Sequence, residues 1–150
     1  MSSKASIGKH PIHPMLVVFP IGLWVFSFVS DLIYYFGSGA AVWNDVAYRA
    51  MAGGIIGALL AAIPGFVDFL TLEGRRRTTA AVHMSINLAL VVLFAINFYV
   101  RTLGVPVDSY PTILSLIGIA GLAVSGWLGG QLVYVYSTAV ECETELRKAA

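Results

Sequence analysis

Four long apolar stretches decide what this 150-residue chain can fold into. They cover residues 15–36, 46–70, 80–100 and 111–136, and the last two contain no Asp, Glu, Lys or Arg. A helix needs roughly 20 apolar residues to cross the hydrocarbon core of a bilayer, and every stretch reaches that length. Transmembrane strands would be about 10 residues long with alternating polarity, a pattern that the sequence lacks. We therefore predict an all-α integral membrane protein with four spans.

The composition excludes the soluble alternatives. Hydrophobic residues make up 58% of the chain and charged residues 11%, whereas soluble domains carry about 25% charged residues. A soluble enzyme or a disordered chain of this composition is therefore excluded. The net charge of +1 gives no indication of a nucleic-acid partner. No nucleophile constellation, phosphate-binding glycine loop or metalloprotease motif is present, so we expect no enzyme that acts alone.

The connections between the stretches predict how the helices are arranged. They are short, which favours an antiparallel four-helix bundle. Lys and Arg concentrate on the cytoplasmic side of membrane proteins. Seven of them lie in the segments that share a side with the two termini, and two, Arg49 and Arg101, lie on the other side. We expect a multi-pass protein in contact with the lipid bilayer, with both termini in the cytoplasm and residues 137–150 as a short charged tail.

Small residues recur at every fourth position in the second and fourth stretches. They are Gly53, Gly57, Ala61 and Gly65 in the second, and Gly121, Ser125 and Gly129 in the fourth. Faces of this kind let helix backbones approach closely. We expect one face to pack inside the bundle and the other to form a homodimer or a contact within a larger membrane complex.

Two charges lie inside the spans on the outer side. Asp31 is near the outer end of the first span and Arg49 near the outer end of the second. A charge within a bilayer is costly and needs a partner or a function. We predict a structural ion pair between Asp31 and Arg49, with an outer-side proton or ion site as the alternative.

All three histidines and one acidic residue fall at the inner end. His10 and His13 precede the first span, Asp68 closes the second and His83 opens the third. Such side chains ligate transition metals, two facing imidazoles can ligate haem iron, and His beside Asp can transfer protons. We predict a metal site of His10, His13, Asp68 and His83, in which His13 and His83, with His10 close by, could bind haem. A structural role, with Asp68 paired to loop arginines, is the alternative.

Several motifs are similar to those of a bacterial family catalogued as domain of unknown function 2231. The opening segment, residues 10–22, reads HPIHPMLVVFPIG. The resemblance continues through Asp31, GFVD at residues 65–68, His83, Asn87 and SGWLGGQLVY at residues 125–134. It covers nearly the whole chain and implies a four-helix protein of the bacterial inner membrane with a suspected redox or haem role. Many relatives have further histidines at Val18 and next to Ser137, so the resemblance implies a single site here.

The sequence thus favours a small redox-associated membrane module that binds haem b or a transition-metal ion. A second hypothesis is a structural accessory subunit of a larger respiratory or photosynthetic complex, since the chain is small and rich in helix-packing faces. A third is a proton or ion conductor, although Asp31 and Asp68 lie near opposite ends of the bundle.

Overall fold

The fold is known from a computed structural model that describes residues 3–37, 39–104 and 110–139. Its helices are α1 (Ile12–Leu16), α2 (Val18–Phe36), α3 (Ala41–Phe69), α4 (Gly74–Thr102) and α5 (Tyr110–Gly130), which ends in a π-helical turn (Gln131–Val135). Taking α1 with α2 and α5 with the π-helical turn, four helical segments are long and apolar enough to cross a bilayer. The predicted all-α architecture with four spans is confirmed. Most of the predicted charged tail, residues 140–150, lies outside the described residues.

The first span is interrupted at Val17. Pro20 has no N–H for the carbonyl of Leu16, so a continuous helix would leave that carbonyl without its ordinary partner. Accordingly α1 ends at Leu16 and α2 begins at Val18, with Pro20 in its first turn.

A short β-hairpin precedes α1. Strands β1 (Ser6–Ile7) and β2 (His10–Pro11) are antiparallel, with Ile7 opposite His10. The two residues between the strands have φ angles of 55° and 69°, as the tightest hairpin turns require. The backbone N–H of Ile12 donates to the carbonyl of Ala5 at 2.9 Å, which ties the hairpin to the start of α1.

The helices pack as two neighbouring pairs, α2 with α3 and α4 with α5. Between the pairs, the Trp24 indole of α2 stacks on the Phe94 ring of α4, with ring centroids 4.2 Å apart and planes 12° from parallel. Both rings are buried, and Gly54 and Gly118 lie against them where a Cβ atom would collide. These glycines let the backbones of α3 and α5 approach the stacked rings.

Both small-residue faces pack inside the chain. A Cβ atom at Gly57 would stand 3.2 Å from Pro20, and one at Gly121 would stand 2.7 Å from Leu90. Gly53, Gly57 and Gly65 of α3 thus face α1 and α2, and Gly121 and Gly129 of α5 face α4. The homodimer or contact within a larger complex stays a prediction.

Candidate functional site

His13 is held against α3 by a single well-formed hydrogen bond. Its Nδ1 lies 2.8 Å from the carbonyl oxygen of Ala61. A carbonyl oxygen can only accept, so we infer that Nδ1 carries the proton and donates it. In the neutral ring this leaves Nε2 with its lone pair available for another donor or a ligand.

The local sequence of α3 explains why the ring fits there. Pro64 has no N–H and its ring disturbs the preceding turn, so the carbonyls of that turn become accessible to outside donors. The next residue is Gly65, and a Cβ atom at that position would stand 2.7 Å from the His13 Nδ1. Pro64 and Gly65 together create the site that the imidazole of His13 occupies.

His83 is held against α5 in the same way. Its Nδ1 lies 3.0 Å from the carbonyl oxygen of Ser125 and 3.1 Å from the hydroxyl of that residue. By the same reasoning the proton is on Nδ1. A Cβ atom at Gly129 would stand 3.3 Å from the His83 ring, so a glycine again makes the space.

Asn87 is placed beside the remaining nitrogen of His83. Its Nδ2 lies 2.7 Å from the Ser125 hydroxyl, 2.8 Å from the His83 carbonyl and 3.1 Å from the His83 Nε2. An amide nitrogen has two hydrogens for these three acceptors. The two hydrogens are best used in the two shorter contacts, so Nε2 of His83 receives the weakest of the three interactions.

The two imidazole rings lie close to each other in a T-shaped arrangement. Their ring centroids are 6.5 Å apart and their planes stand at 89°. We call this end of the bundle the histidine end. Two imidazoles that both donate from Nδ1 and both leave Nε2 for a ligand are suited to binding one electron-pair acceptor between them.

The predicted four-residue metal cluster does not form. Asp68 accepts hydrogen bonds from the Ser3 hydroxyl at 2.8 Å and from the Ala5 N–H at 3.1 Å. His10 is exposed in β2. Within the described part of the chain, no three His, Cys, Asp or Glu side chains come together as a metal site. We predicted that all four residues lie at the same end of the bundle. The N-terminal segment folds back, however, and Asp68 accepts its hydrogen bonds from Ser3 and Ala5.

The predicted structural alternative for Asp68 is also wrong, because the bonds to Asp68 come from Ser3 and Ala5. Arg77 in the first turn of α4 lies over the Phe69 ring, 4.8 Å from its centroid, and donates to the Leu72 carbonyl. Asp68 therefore anchors the segment that leads into the β-hairpin.

The predicted ion pair between Asp31 and Arg49 is wrong as well. Arg49 pairs with Asp45 one helical turn away at 2.8 Å, and both side chains are exposed. Asp31 is fully buried and binds the guanidinium of Arg101 with two parallel contacts, of 2.8 Å and 2.5 Å. Arg101 reaches Asp31 because its side chain extends inward from the last turn of α4 and is only 3% exposed. We call this the ion-pair end.

Two residues at the ion-pair end escaped sequence reasoning. Asn97 donates to the Ser115 hydroxyl at 2.9 Å and accepts from the Arg101 Nε at 3.2 Å, and Ser115 donates to Asp31 at 3.2 Å. The sequence does contain a signal for the pairing of Asp31 with Arg101. Asp31 follows His13 by the same number of residues as Arg101 follows His83, namely 18.

Comparison with known proteins agrees with the architecture. A family model described as predicted membrane protein (DUF2231) matches residues 9–142. No curated protein and no solved structure matches the chain. The family match covers both the histidine end and the ion-pair end. The chain therefore belongs to the DUF2231 family of predicted membrane proteins.

Proposed function

We propose that this protein is a small membrane metal-binding module and that His13 and His83 bind one transition-metal ion between them. The observation that carries the proposal is the pair of neighbouring imidazoles, 6.5 Å apart, each with its Nδ1 beside a backbone carbonyl. Metal-binding histidines usually donate their other N–H to a carbonyl or carboxylate, which fixes the ring and raises its basicity. Both rings have that support before any metal binds.

The distance between the rings supports a single shared ion. A metal–nitrogen bond of about 2.0–2.1 Å added to an imidazole radius of roughly 1.1 Å places a ring centroid about 3.2 Å from the metal. Two imidazoles in line on one ion would thus have centroids about 6.4 Å apart. The observed 6.5 Å is close to that value, which supports one ion shared by the two rings.

The donor set favours a monovalent copper ion. Both ligands are neutral, and Asp68 is occupied by Ser3 and Ala5, so this pair offers no carboxylate to balance a divalent charge. Zn²⁺ prefers four ligands in proteins, whereas Cu⁺ accepts two in line, and imidazole suits copper. The ion would replace the weak contact between Asn87 and Nε2 of His83.

Haem is the second candidate because its iron also takes two opposed imidazoles. His13 and His83 would then be the axial ligands, and the group would supply one-electron transfer. A macrocycle would have to displace the Asn87 amide, which is hydrogen-bonded to Ser125 of α5. A bare ion requires a smaller rearrangement, so we place it first.

The test is a copper(I) titration of the full-length protein in detergent, without oxygen, against a chromophoric chelator. We expect one ion per chain. His13→Asn and His83→Asn should each weaken binding by more than about 10-fold, the size of effect seen when a metal site loses part of its support. Asparagine retains a side-chain N–H for the carbonyls of Ala61 or Ser125, so the helix contacts remain. His10→Asn is the matched control and should bind as the wild type does.

Equal copper affinity in the wild type and the two variants would refute the proposal. An absorption spectrum of protein purified directly from membranes tests the second candidate. A Soret band lost in both variants would assign haem to the pair instead of an ion. Protein that takes up neither would overturn both candidates and favour the accessory-subunit hypothesis.

We further propose that the histidine end faces the cytoplasm of a bacterium. The first turn of α4 carries three consecutive arginines at this end, residues 75–77. Cytoplasmic connections are enriched in such residues. The metal would then be exchanged on the cytoplasmic side of the inner membrane.

A further inference from the structure

Three contacts along the bundle join residues that are the same distance apart in the chain. The pairs are His13 with His83, Trp24 with Phe94 and Asp31 with Arg101. The members of each pair are 70 positions apart. One spacing repeated in three side-chain pairs, at both ends and in the core, indicates that α1 and α2 together match α4 position by position.

The helix that follows each of these segments repeats the same contacts. His13 bonds the carbonyl of Ala61, 48 residues on, and His83 bonds that of Ser125, 42 residues on. Ser27 bonds the carbonyl of Ala47, 20 residues on, and Asn97 bonds that of Pro111, 14 residues on. In both cases the sequence separation of the contacting residues is six residues shorter in the second half of the chain. The six-residue difference therefore lies between the Ser27 and Ala47 contacts, where α2 and α3 extend further than the equivalent parts of α4 and α5.

The glycine contacts show the same six-residue difference in sequence separation. Gly54 lies against Trp24 and Gly118 against Phe94. Likewise Gly57 faces Pro20, whereas Gly121 faces Leu90. Each separation in the second half is again six residues shorter than its counterpart. The correspondence thus includes hydrogen bonds, aromatic packing and close backbone approach.

We infer that the chain is a tandem duplication of one helical hairpin and that its two copies recognise each other about a pseudo-twofold axis. Hairpin A is formed by α1, α2 and α3, and hairpin B by α4 and α5, with residues 12–65 of hairpin A equivalent to residues 82–129 of hairpin B. The helices α2 and α4 both run from the histidine end to the ion-pair end, so the axis runs along the bundle, as in membrane proteins with parallel repeats. His13, Trp24 and Asp31 of hairpin A meet their own equivalents at this axis.

The ion pair makes this recognition specific. At the other two levels the paired residues are alike, imidazole with imidazole and aromatic ring with aromatic ring. Asp31 and Arg101 occupy equivalent positions but carry opposite charges and are buried together. Two A hairpins from different chains would place two aspartates at the axis, and two B hairpins would place two arginines there. Buried like charges are strongly unfavourable, so each hairpin selects the other kind as its partner.

Exchange of equivalent residues in the full-length protein tests this inference. Asp31→Arg alone and Arg101→Asp alone place like charges at the axis and should lower the yield of folded protein and its thermal midpoint. The double variant D31R/R101D restores opposite charges and should recover most of that loss. If the double variant is no more stable than the single variants, the two positions are not equivalent and the inference fails.

The aromatic core supplies a second test that does not depend on charge. W24F/F94W exchanges two equivalent residues, each of which has a glycine opposite it, and should keep the thermal midpoint within about 4 °C of the wild type. W24F/F98W has the same composition but moves the indole to Phe98, which stacks on Tyr48 instead. This control should fall well below the first variant. Equal loss in the two exchanges would contradict the duplication, whatever the outcome of the metal titration.

Discussion

Replacement of Asp31 by asparagine should strongly lower the stability of the folded protein. The substitution keeps the shape of the side chain but leaves the guanidinium of Arg101 buried, with 3% of its side chain exposed, and without a carboxylate. Removing one partner of a buried ion pair costs about 3–5 kcal/mol, because the remaining charge stays out of water without compensation. Asn97 and Ser115 remain nearby but supply neutral dipoles only.

Removing both charges should cost much less. In Asp31→Leu combined with Arg101→Met no buried charge is left, and Asn97 and Ser115 keep their hydrogen bond to each other. Apolar replacement of a buried pair is often neutral, so we expect the double variant to be at least about 2 kcal/mol more stable than Asp31→Asn.

Reversible unfolding in mixed detergent micelles, followed by the fluorescence of Trp24 and the other tryptophans and by circular dichroism, measures these differences. Asp45→Asn is the matched control, because it breaks the exposed pair with Arg49, and exposed ion pairs contribute little to stability. It should leave the free energy of unfolding close to that of the wild type. A loss below about 1 kcal/mol for Asp31→Asn, against the range expected of a buried pair, would refute the reasoning. A double variant less stable than Asp31→Asn would do so as well.

Three further predictions concern packing, the histidine site and topology. Gly118→Ala places a methyl group about 2.5 Å from the Phe94 ring and should cost about 1–3 kcal/mol in the same assay. A methyl group at Gly126 would meet nothing within 4 Å, so Gly126→Ala should be neutral or slightly stabilising, since alanine favours helix. Gly65→Ala should push the His13 ring away from Ala61 and weaken copper binding by about 10-fold or more, and unchanged affinity would show that the ring position is unimportant for binding. A periplasm-active reporter fused after Gly39 should be active and the same fusion after Ala150 inactive, because the positive charges favour cytoplasmic termini; the reverse pattern would contradict the orientation.

The spans were predictable because transfer of a helix into lipid depends on local composition and length. The apolar stretches coincide with α2 to α5, and the helices extend past them at most ends because end residues can be polar where they leave the hydrocarbon. The family resemblance from the His-Pro-Ile-His-Pro opening was likewise confirmed.

The pairing of individual side chains was not predictable by the same reasoning. The order of helices places His13, Asp68 and His83 in one layer but does not say which way each side chain points around its helix. Asp68 therefore met Ser3, a residue 65 positions away with no recognisable motif. Asp31 was assigned to Arg49 because the two lie on consecutive helices, whereas its partner is on α4. The repeated spacing of 18 residues was the signal that would have identified Arg101.

Nitrogen-15 NMR of the imidazoles during copper(I) addition tests the proposed site most directly. Before addition, Nδ1 of both His13 and His83 should carry a proton, as their carbonyl contacts require. As copper(I) is added, the Nε2 signals of both rings should change together and reach their end point at one ion per chain, while His10 stays unchanged. Signals that do not respond, or that respond at His10 or at one ring alone, would contradict the shared two-imidazole site.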